Sequence, residues 1–157
     1  MHISTKCSAA IHCLIFIHEY GQTHKVTSTL LSRSTGVNAV TIRNFLSAMK
    51  KDGILTVKPG TGGALLAVPL SEINLYRICK VIEPDFMEKL IGYHPNPSKD
   101  CPLGKSIYQV LDKPYSKIKD DLQKSLERTT LQDFLTEYRR LRDNISTTPN
   151  KPTELQA

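Results

Sequence analysis

The sequence predicts a mainly α-helical fold with one small β-hairpin. Three observations carry that expectation. Apolar residues recur at helical spacing through most of the 157 residues. Two short β-prone runs, "ILTVKP" and "GALLAVP", flank the glycine-rich link Gly60-Thr61-Gly62-Gly63. Residues 92–104, "GYHPNPSKDCPLG", form a proline-rich loop that separates the first part of the chain from a long helix with a single apolar stripe.

Residues 5–20, "TKCSAAIHCLIFIHEY", lack Gly and Pro and are apolar on most faces, which describes a helix buried on several sides and closed by Gly21. A polar link follows, in which Val26 has room for a brief strand. The segment "TSTLLSRSTGVNAVTIRNFLSAMKKDG" opens with Thr27 or Ser28 as a cap, breaks at Gly36 and restarts at Asn38. Ile42, Phe45, Leu46 and Met49 form a stripe on one side of the second helix. The rest of that helix shows Ala39, Thr41, Arg43, Asn44, Ser47, Lys50 and Lys51 to solvent, and Gly53 ends it. Two short helices around a glycine turn, the second polar and basic outside, match a helix-turn-helix, although a helical hairpin with a merely solvated face has the same pattern.

The glycine link decides between a nucleotide loop and a hairpin. A dinucleotide fingerprint needs G-x-G-x-x-G between a strand and a helix, but here G-T-G-G is followed by a strand. A Walker loop ends in Gly-Lys-Ser/Thr, and "GGA" supplies neither the lysine nor the hydroxyl. The glycines therefore serve the reversal of a hairpin. Placed directly after a helix-turn-helix, that hairpin is a wing.

After Pro69, "SEINLYRICKVIE" reads as a helix capped near Asn74 with Leu75, Ile78 and Ile82 inward. From about 105 to 127, Ile107, Leu111, Tyr115, Ile118, Leu122 and Leu126 recur at spacings close to a coiled-coil seam. Such a helix calls for a partner surface, and a second copy of the chain is the simplest one, so these six residues are the expected dimerisation stripe. Pro114 within it predicts a kink or a local break. "TTLQDFLTEYRRLRD" restarts a helix with Thr130 as cap and Asp133 at the capping-box position. The expected organisation is a winged helix-turn-helix over 1–84, a loop region over 85–104, a dimerisation helix and C-terminal helix over 105–145, and a disordered tail over 146–157.

Charge supports a polyanionic partner. Residues 1–80 hold nine Lys/Arg and three Asp/Glu, so the whole net charge of +6 lies there, whereas residues 81–157 are neutral. No run of apolar residues is long enough to span a membrane, and the N-terminus lacks the pattern of a signal peptide, so a cytoplasmic location is expected. Cys7, Cys13, Cys79 and Cys101 form no C-x-x-C pair and read as thiols; Cys7 and Cys13, six apart on one helix, point in different directions. The five histidines show no ligand spacing, so no metal and no cofactor is expected, and no catalytic constellation stands out.

The order of parts resembles the Rrf2-type winged-helix regulators, which include an iron–sulfur cluster regulator and a nitric-oxide-sensitive repressor. The matching stretches are "MHISTK", "LLSRSTGV", "FLSAMKKDGIL", "GTGGALLAVPLSEINLYRICKVIE" and "CPLGKSIY…TTLQDFL", covering about residues 1–143. The resemblance implies a homodimeric transcription factor that binds double-stranded DNA, mostly as a repressor, through crossed long helices. By position, Asn38, Ala39, Val40, Thr41, Arg43 and Asn44 face base edges, with Arg43 suited to guanine and Asn44 to adenine. Lys6, Lys50, Lys51 and Lys58 meet phosphates, and Ser28, Thr61, Gly62 and Gly63 join the DNA-binding set.

Three departures from the family pattern stand out. Pro59 occupies a place where wings often carry arginine. "GGALLAV" replaces a more charged, aromatic wing. Cluster-binding relatives place three cysteines at intervals of about six before the long helix, whereas here those places hold Lys89, Pro95 and Cys101, and Gly104 stands where a histidine ligand can occur. One thiolate cannot hold an iron–sulfur cluster, so none is expected within a protomer. By likeness to members that use thiols instead, Cys13 and Cys101 are the candidate redox residues; a small-molecule or protein effector is the other route. A partner-binding protein with weak DNA binding is the second functional expectation, and an enzyme using the glycine loop is the third.

Overall fold

The structure is a computed structural model that describes residues 4–58 and 63–146. Thr61 and Gly62, and the expected disordered tail beyond Ser146, lie outside the described residues.

The first helix, α1 (Thr5–Tyr20), is the centre of the molecule. Its Ala10, Cys13, Leu14, Phe16 and Ile17 are all buried, as expected for a helix that is apolar on most faces. It packs on α2 (Ser28–Thr35), β2 (Gly63–Leu66), α4 (Leu75–Ile82) and α7 (Leu131–Ser146). Between these elements run α3 (Ala39–Lys51), β1 (Leu55–Lys58) and a single tight turn at Leu70–Glu72. Gly21 closes α1, with its N–H donating to the Ile17 carbonyl at 2.8 Å.

The helix-turn-helix forms at the expected capping residues. The Thr27 hydroxyl accepts from the Leu30 N–H at 3.2 Å, and the Asn38 side chain accepts from the Val40 N–H at 2.7 Å. Between them Gly36 sits at φ +71°, in the left-handed region that a tight inter-helix turn requires. Ile42, Phe45 and Met49 then turn one side of α3 into the core, joining Leu31, Ile54 and Ile73.

β1 and β2 pair antiparallel, with Leu55 opposite Leu66 and Lys58 opposite Gly63. Val26 contributes no strand of its own, but its carbonyl accepts from the Ala64 N–H at 3.2 Å and pins the hairpin to the start of α2. Gly63 makes this contact feasible. It has φ +66°, and a Cβ there would stand 2.8 Å from the Val26 nitrogen.

Two further elements fall where a loop is expected. The short α5 (Phe86–Leu90) buries Phe86 and Leu90, and α6 (Pro102–Arg128) begins three residues before position 105, with Pro102 in its first turn. Helix α6 runs through Pro114 without a break. Pro114 has no N–H to donate to the carbonyl of Val110, a residue on the exposed side of α6. Asp133 serves the start of α7 by accepting from both the N–H (2.7 Å) and the hydroxyl (2.8 Å) of Thr130.

The apolar stripe of α6 divides its work. Leu126 is buried and Leu122 is packed beside it, both against Cys7, Cys79, Phe86 and Leu90 of the same chain. Tyr115 meets the ring of Tyr93 at 5.3 Å, and Ile107 and Leu111 are half-buried. Of the six residues, Ile118 alone is exposed, at 47%; the other exposed apolar positions of α6 are Leu103, Tyr108 and Val110. The lower end of the expected dimer stripe is thus an intramolecular anchor.

The two turn glycines generate a graded prediction. Gly36→Ala meets no neighbouring atom and bears only the left-handed backbone strain, about 1–2 kcal/mol. Gly63→Ala adds a clash with the Val26 backbone and should cost more. Urea unfolding of both variants checks the order.

Candidate nucleic-acid interface

The Asn38 cap fixes where α3 starts, and the core stripe fixes which way it faces. Its outer side then presents Val40 (55% exposed), Arg43, Asn44, Ser47, Lys50 and Lys51, while Ala39 and Thr41 are half-buried. An exposed valine at the leading end of a basic helix offers a methyl surface, the complement of a thymine methyl group.

Beside that face lies a groove of about 460 Å³ between α3, the start of α2 and the hairpin. Lys25, Arg43, Lys50 and Lys58 line it together with Ser28 and Ser47, over a floor of Val26, Leu46, Val57 and Ala64. Among the described residues no acidic side chain lines it. Ser28 is the first residue of α2, so helix N–H groups add partial positive charge to the lysines and arginine. Four cationic side chains, the hydroxyls of Thr27, Ser28 and Ser47 and a helix terminus converge here. That is chemistry for phosphate oxygens.

The orientation of α3 is held from behind. Arg77 of α4 donates from Nε to Asp52 Oδ2 at 2.7 Å and from Nη2 to the Asp52 carbonyl at 3.0 Å, clamping the C-terminal end of α3. Its ionic bond is half-exposed, so its effect is positional more than energetic.

Residues 3–137 match the model of the Rrf2 family, described as an iron-dependent transcriptional regulator. The chain belongs to the Rrf2 family. That makes it a DNA-binding transcriptional regulator of the winged helix-turn-helix class and not an enzyme. The chain is 29% identical over 133 residues to YwnA of Bacillus subtilis (strain 168), named as a helix-turn-helix type of transcriptional regulator, covering 85% of this chain and 96% of YwnA. A crystal structure described as that of a DNA-binding protein superposes with a TM-score of 0.67 at 26% identity, over 83% of this chain and 99% of that one. The oxidised form of CymR from Staphylococcus aureus shares the fold, with a TM-score of 0.64 at 17% identity over 86% of this chain and 96% of CymR.

Within this Rrf2 chain the structure gathers Ser28, Arg43, Lys50, Lys58 and Gly63 around one groove, with Asn38, Val40, Asn44 and Lys51 on the adjoining face. It places Lys6 elsewhere, on the first turn of α1 within electrostatic reach of Glu83 and Asp85. Thr61 and Gly62 lie outside the described residues. Lys25, Thr27 and Ser47 line the groove but stand outside the expected DNA-binding set. For Lys25 the available signal is its place just before Val26, whose contact with the hairpin only the fold reveals.

The cysteines differ sharply. Cys13 is fully buried, and burial pushes its thiol up to about 12, away from the thiolate that redox chemistry needs. Cys101 is exposed at the cap position of α6, where its side chain makes no capping hydrogen bond. Cys7 and Cys79 are both buried in one small core with Phe86, Leu90 and Leu126. Among the described residues no three His, Cys, Asp or Glu side chains come together as a ligand set. Nor is any described helix long and apolar enough to cross a membrane.

A second groove, of about 480 Å³, lies between α1, the end of α2 and α7, with an apolar wall of Ile11, Ile15 and Phe16. His12 Nε2 and the Ser34 hydroxyl meet at its edge at 3.0 Å. Glu19 on its rim is held by Arg139 at 2.7 Å and Arg142 at 3.0 Å.

Burial orders the thiols for a bulky reagent. In the native protein at neutral pH, N-ethylmaleimide should label Cys101 alone, and Cys7, Cys13 and Cys79 should react only after unfolding. Mass spectrometry of peptides before and after denaturant checks this.

Proposed function

We propose that the chain is a sequence-specific repressor that binds duplex DNA as a homodimer, with α3 in the major groove. The observation that carries this is the junction of an exposed, capped α3 face with a groove lined by four cationic side chains and no acid. Arg43 is the guanine-reading residue, Asn44 the adenine-reading residue and Val40 the thymine contact. Lys25, Lys50, Lys51 and Lys58, with Ser28 and the α2 N-terminus, hold phosphates. Lys6 stands apart from this surface and contributes through the long-range field. The hairpin, with little charge of its own, steadies the groove more than it reads DNA.

The dimer face follows from α6. Its apolar arc is wide, and the side bearing Leu122 and Leu126 is used by its own domain. Leu103, Val110 and Ile118, 64%, 57% and 47% exposed, lie on the adjoining side and form the face for a second copy. This shifts the expected contact by about a quarter turn. Among the thiols, Cys101 is the one placed to respond to an oxidant. A small-ligand response would use the groove beside α1, where His12 and Ser34 supply polar contacts.

Fluorescence anisotropy with a duplex from the upstream region of its own gene, against a scrambled duplex, tests the reading. Arg43→Ala should reduce discrimination between the two by about 1–3 kcal/mol. Lys50→Ala and Lys58→Ala should each lower the slope of log affinity against log salt by about one while leaving discrimination in place. Equal, salt-insensitive binding of both duplexes would favour a partner-binding protein instead. For the dimer, Val110→Asp with Ile118→Asp should give a folded monomer in sedimentation, because the anchor at Leu126 is untouched.

A further inference from the structure

A chain of polar contacts outside the cationic groove ties the reading helix α3 to the long helix α6. The end of α6 passes into α7 through Thr129 and Thr130, and this junction runs antiparallel to the segment just before α4, with Asn74 opposite Thr130. The Leu75 N–H donates to the Thr129 carbonyl at 2.8 Å, and the Leu131 N–H donates to the Ile73 carbonyl at 2.7 Å. These two bonds lock the start of α4 to the junction. Asn74 also caps α4, its side chain accepting from the Arg77 N–H at 2.8 Å. From that turn the Arg77 guanidinium donates to the Asp52 carboxylate at 2.7 Å, to the Asp52 carbonyl at 3.0 Å and to the Glu72 carbonyl at 3.4 Å. Asp52 is the residue that closes α3. We propose that Arg77 is a positioning residue for DNA reading: it fixes α3 against the α6–α7 junction and so sets which spacing of two operator half-sites the dimer accepts. This role rests on the homodimer proposed above, since one protomer alone has no spacing to set.

The core alone does not define this relation. Ile42, Phe45 and Met49 fix which side of α3 faces inward, through apolar contacts that have no preferred direction. The guanidinium adds direction, because its planar fork meets the carboxylate and the carbonyl of one residue and so sets α3 both along and around its axis. The two side chains are 31% and 36% exposed, so solvent screens the pair and its part in overall stability is small. Arg77 is not among the residues that line the cationic groove. In a dimer paired through α6, the two α3 helices stand at the two ends of this linkage. Each base pair added between half-sites moves the second by about 3.4 Å and turns it by roughly 34°. A reading helix free to shift that far accepts several spacings, and one held at Asp52 accepts one.

The opposite charges of the pair separate positioning from simple attraction. Through the electrostatic field, loss of Arg77 weakens the pull on DNA and loss of Asp52 strengthens it. Through position, either loss frees the same end of α3, so both erode the same spacing preference. Because the two side chains form one contact, the double variant should be no worse than either single one. Glu72 contributes its backbone carbonyl to Arg77, so its side chain is dispensable for this role and Glu72→Ala is a control. A lysine at position 77 keeps the charge and loses the fork.

The test uses the full chain and a duplex that the wild-type protein enriches from a random-sequence pool. Fluorescence anisotropy compares that two-part site with versions carrying one base pair more or one fewer between the half-sites. The wild type and Glu72→Ala should prefer the selected spacing. Arg77→Ala, Arg77→Lys, Asp52→Ala and the double variant Arg77→Ala/Asp52→Ala should each lose most of that preference, with the salt slope on the selected duplex and the melting temperature near wild type. An Arg77→Ala protein that binds every spacing equally more weakly, with a reduced salt slope, makes Arg77 a phosphate contact and overturns the proposal. So does a wild-type spacing preference in Arg77→Lys or Asp52→Ala. Should Arg77→Ala fail to fold, those two variants decide. If the wild type enriches no two-part site, the homodimer reading falls and takes this role with it, whereas a preference kept by the variants overturns this role alone.

Discussion

Helix α1 buries a broad apolar arc, and the rest of the molecule is arranged to cover it. Ala10, Cys13, Leu14, Phe16 and Ile17 point in several directions, and each direction needs a different neighbour: α2, the hairpin, α4 and α7. A helix with so broad an apolar arc is satisfied only inside a core. That requirement brings the α2–α3 pair and the hairpin to the same side of one rod, and so places the cationic residues of three separate segments around one groove. Remove the demand of α1 for cover and no local propensity would set the hairpin beside α3.

Electrostatics then divides the chain along its length. In the second half, opposite charges are paired at close range, as in Lys89 with Asp85 and Arg140 with Glu137, and Arg139 and Arg142 reach across to Glu19 of α1. Around the groove no acid answers Arg43, Lys50 and Lys58 among the lining residues. One acid in the first half, Asp52, is turned away to α4, where Arg77 takes it up. The same ion pair that keeps α3 in line also removes a negative charge from the reading side.

Much of this was legible before the fold was known, because the deciding signals are local. Thr27, Gly36, Asn38 and Gly63 each satisfy a backbone need set by neighbours within a few positions, and the stripe Ile42, Phe45 and Met49 carries its own periodicity. What was not legible depends on distant segments meeting. The spacing of Leu122 and Leu126 announces an apolar seam but not whose surface it covers; only the arrival of Phe86 and Leu90 beneath them decides that. Lys25 looks like any link lysine until the hairpin docks on Val26. Cys7 and Cys79 are far apart in sequence and lack any motif, so their place in one small core is a property of α1 against α4. Cys13 carries no local mark of its burial that distinguishes it from Cys7.

Helix α6 is clamped at one end by its own domain's core, and at the other it meets the loop that precedes it, through Tyr93 and His94. Its 27 residues make a rod ~40 Å long, gripped by its own domain near Leu126 and carrying Leu103 at its far end. Such a rod is a lever. A tilt of a few degrees at the grip, too small to disturb the packing of Leu122 on Phe86, swings the tip by several ångströms. The grip is the same small core that holds Cys7 and Cys79, so a slight rearrangement among five buried side chains becomes a large displacement of whatever the tip holds.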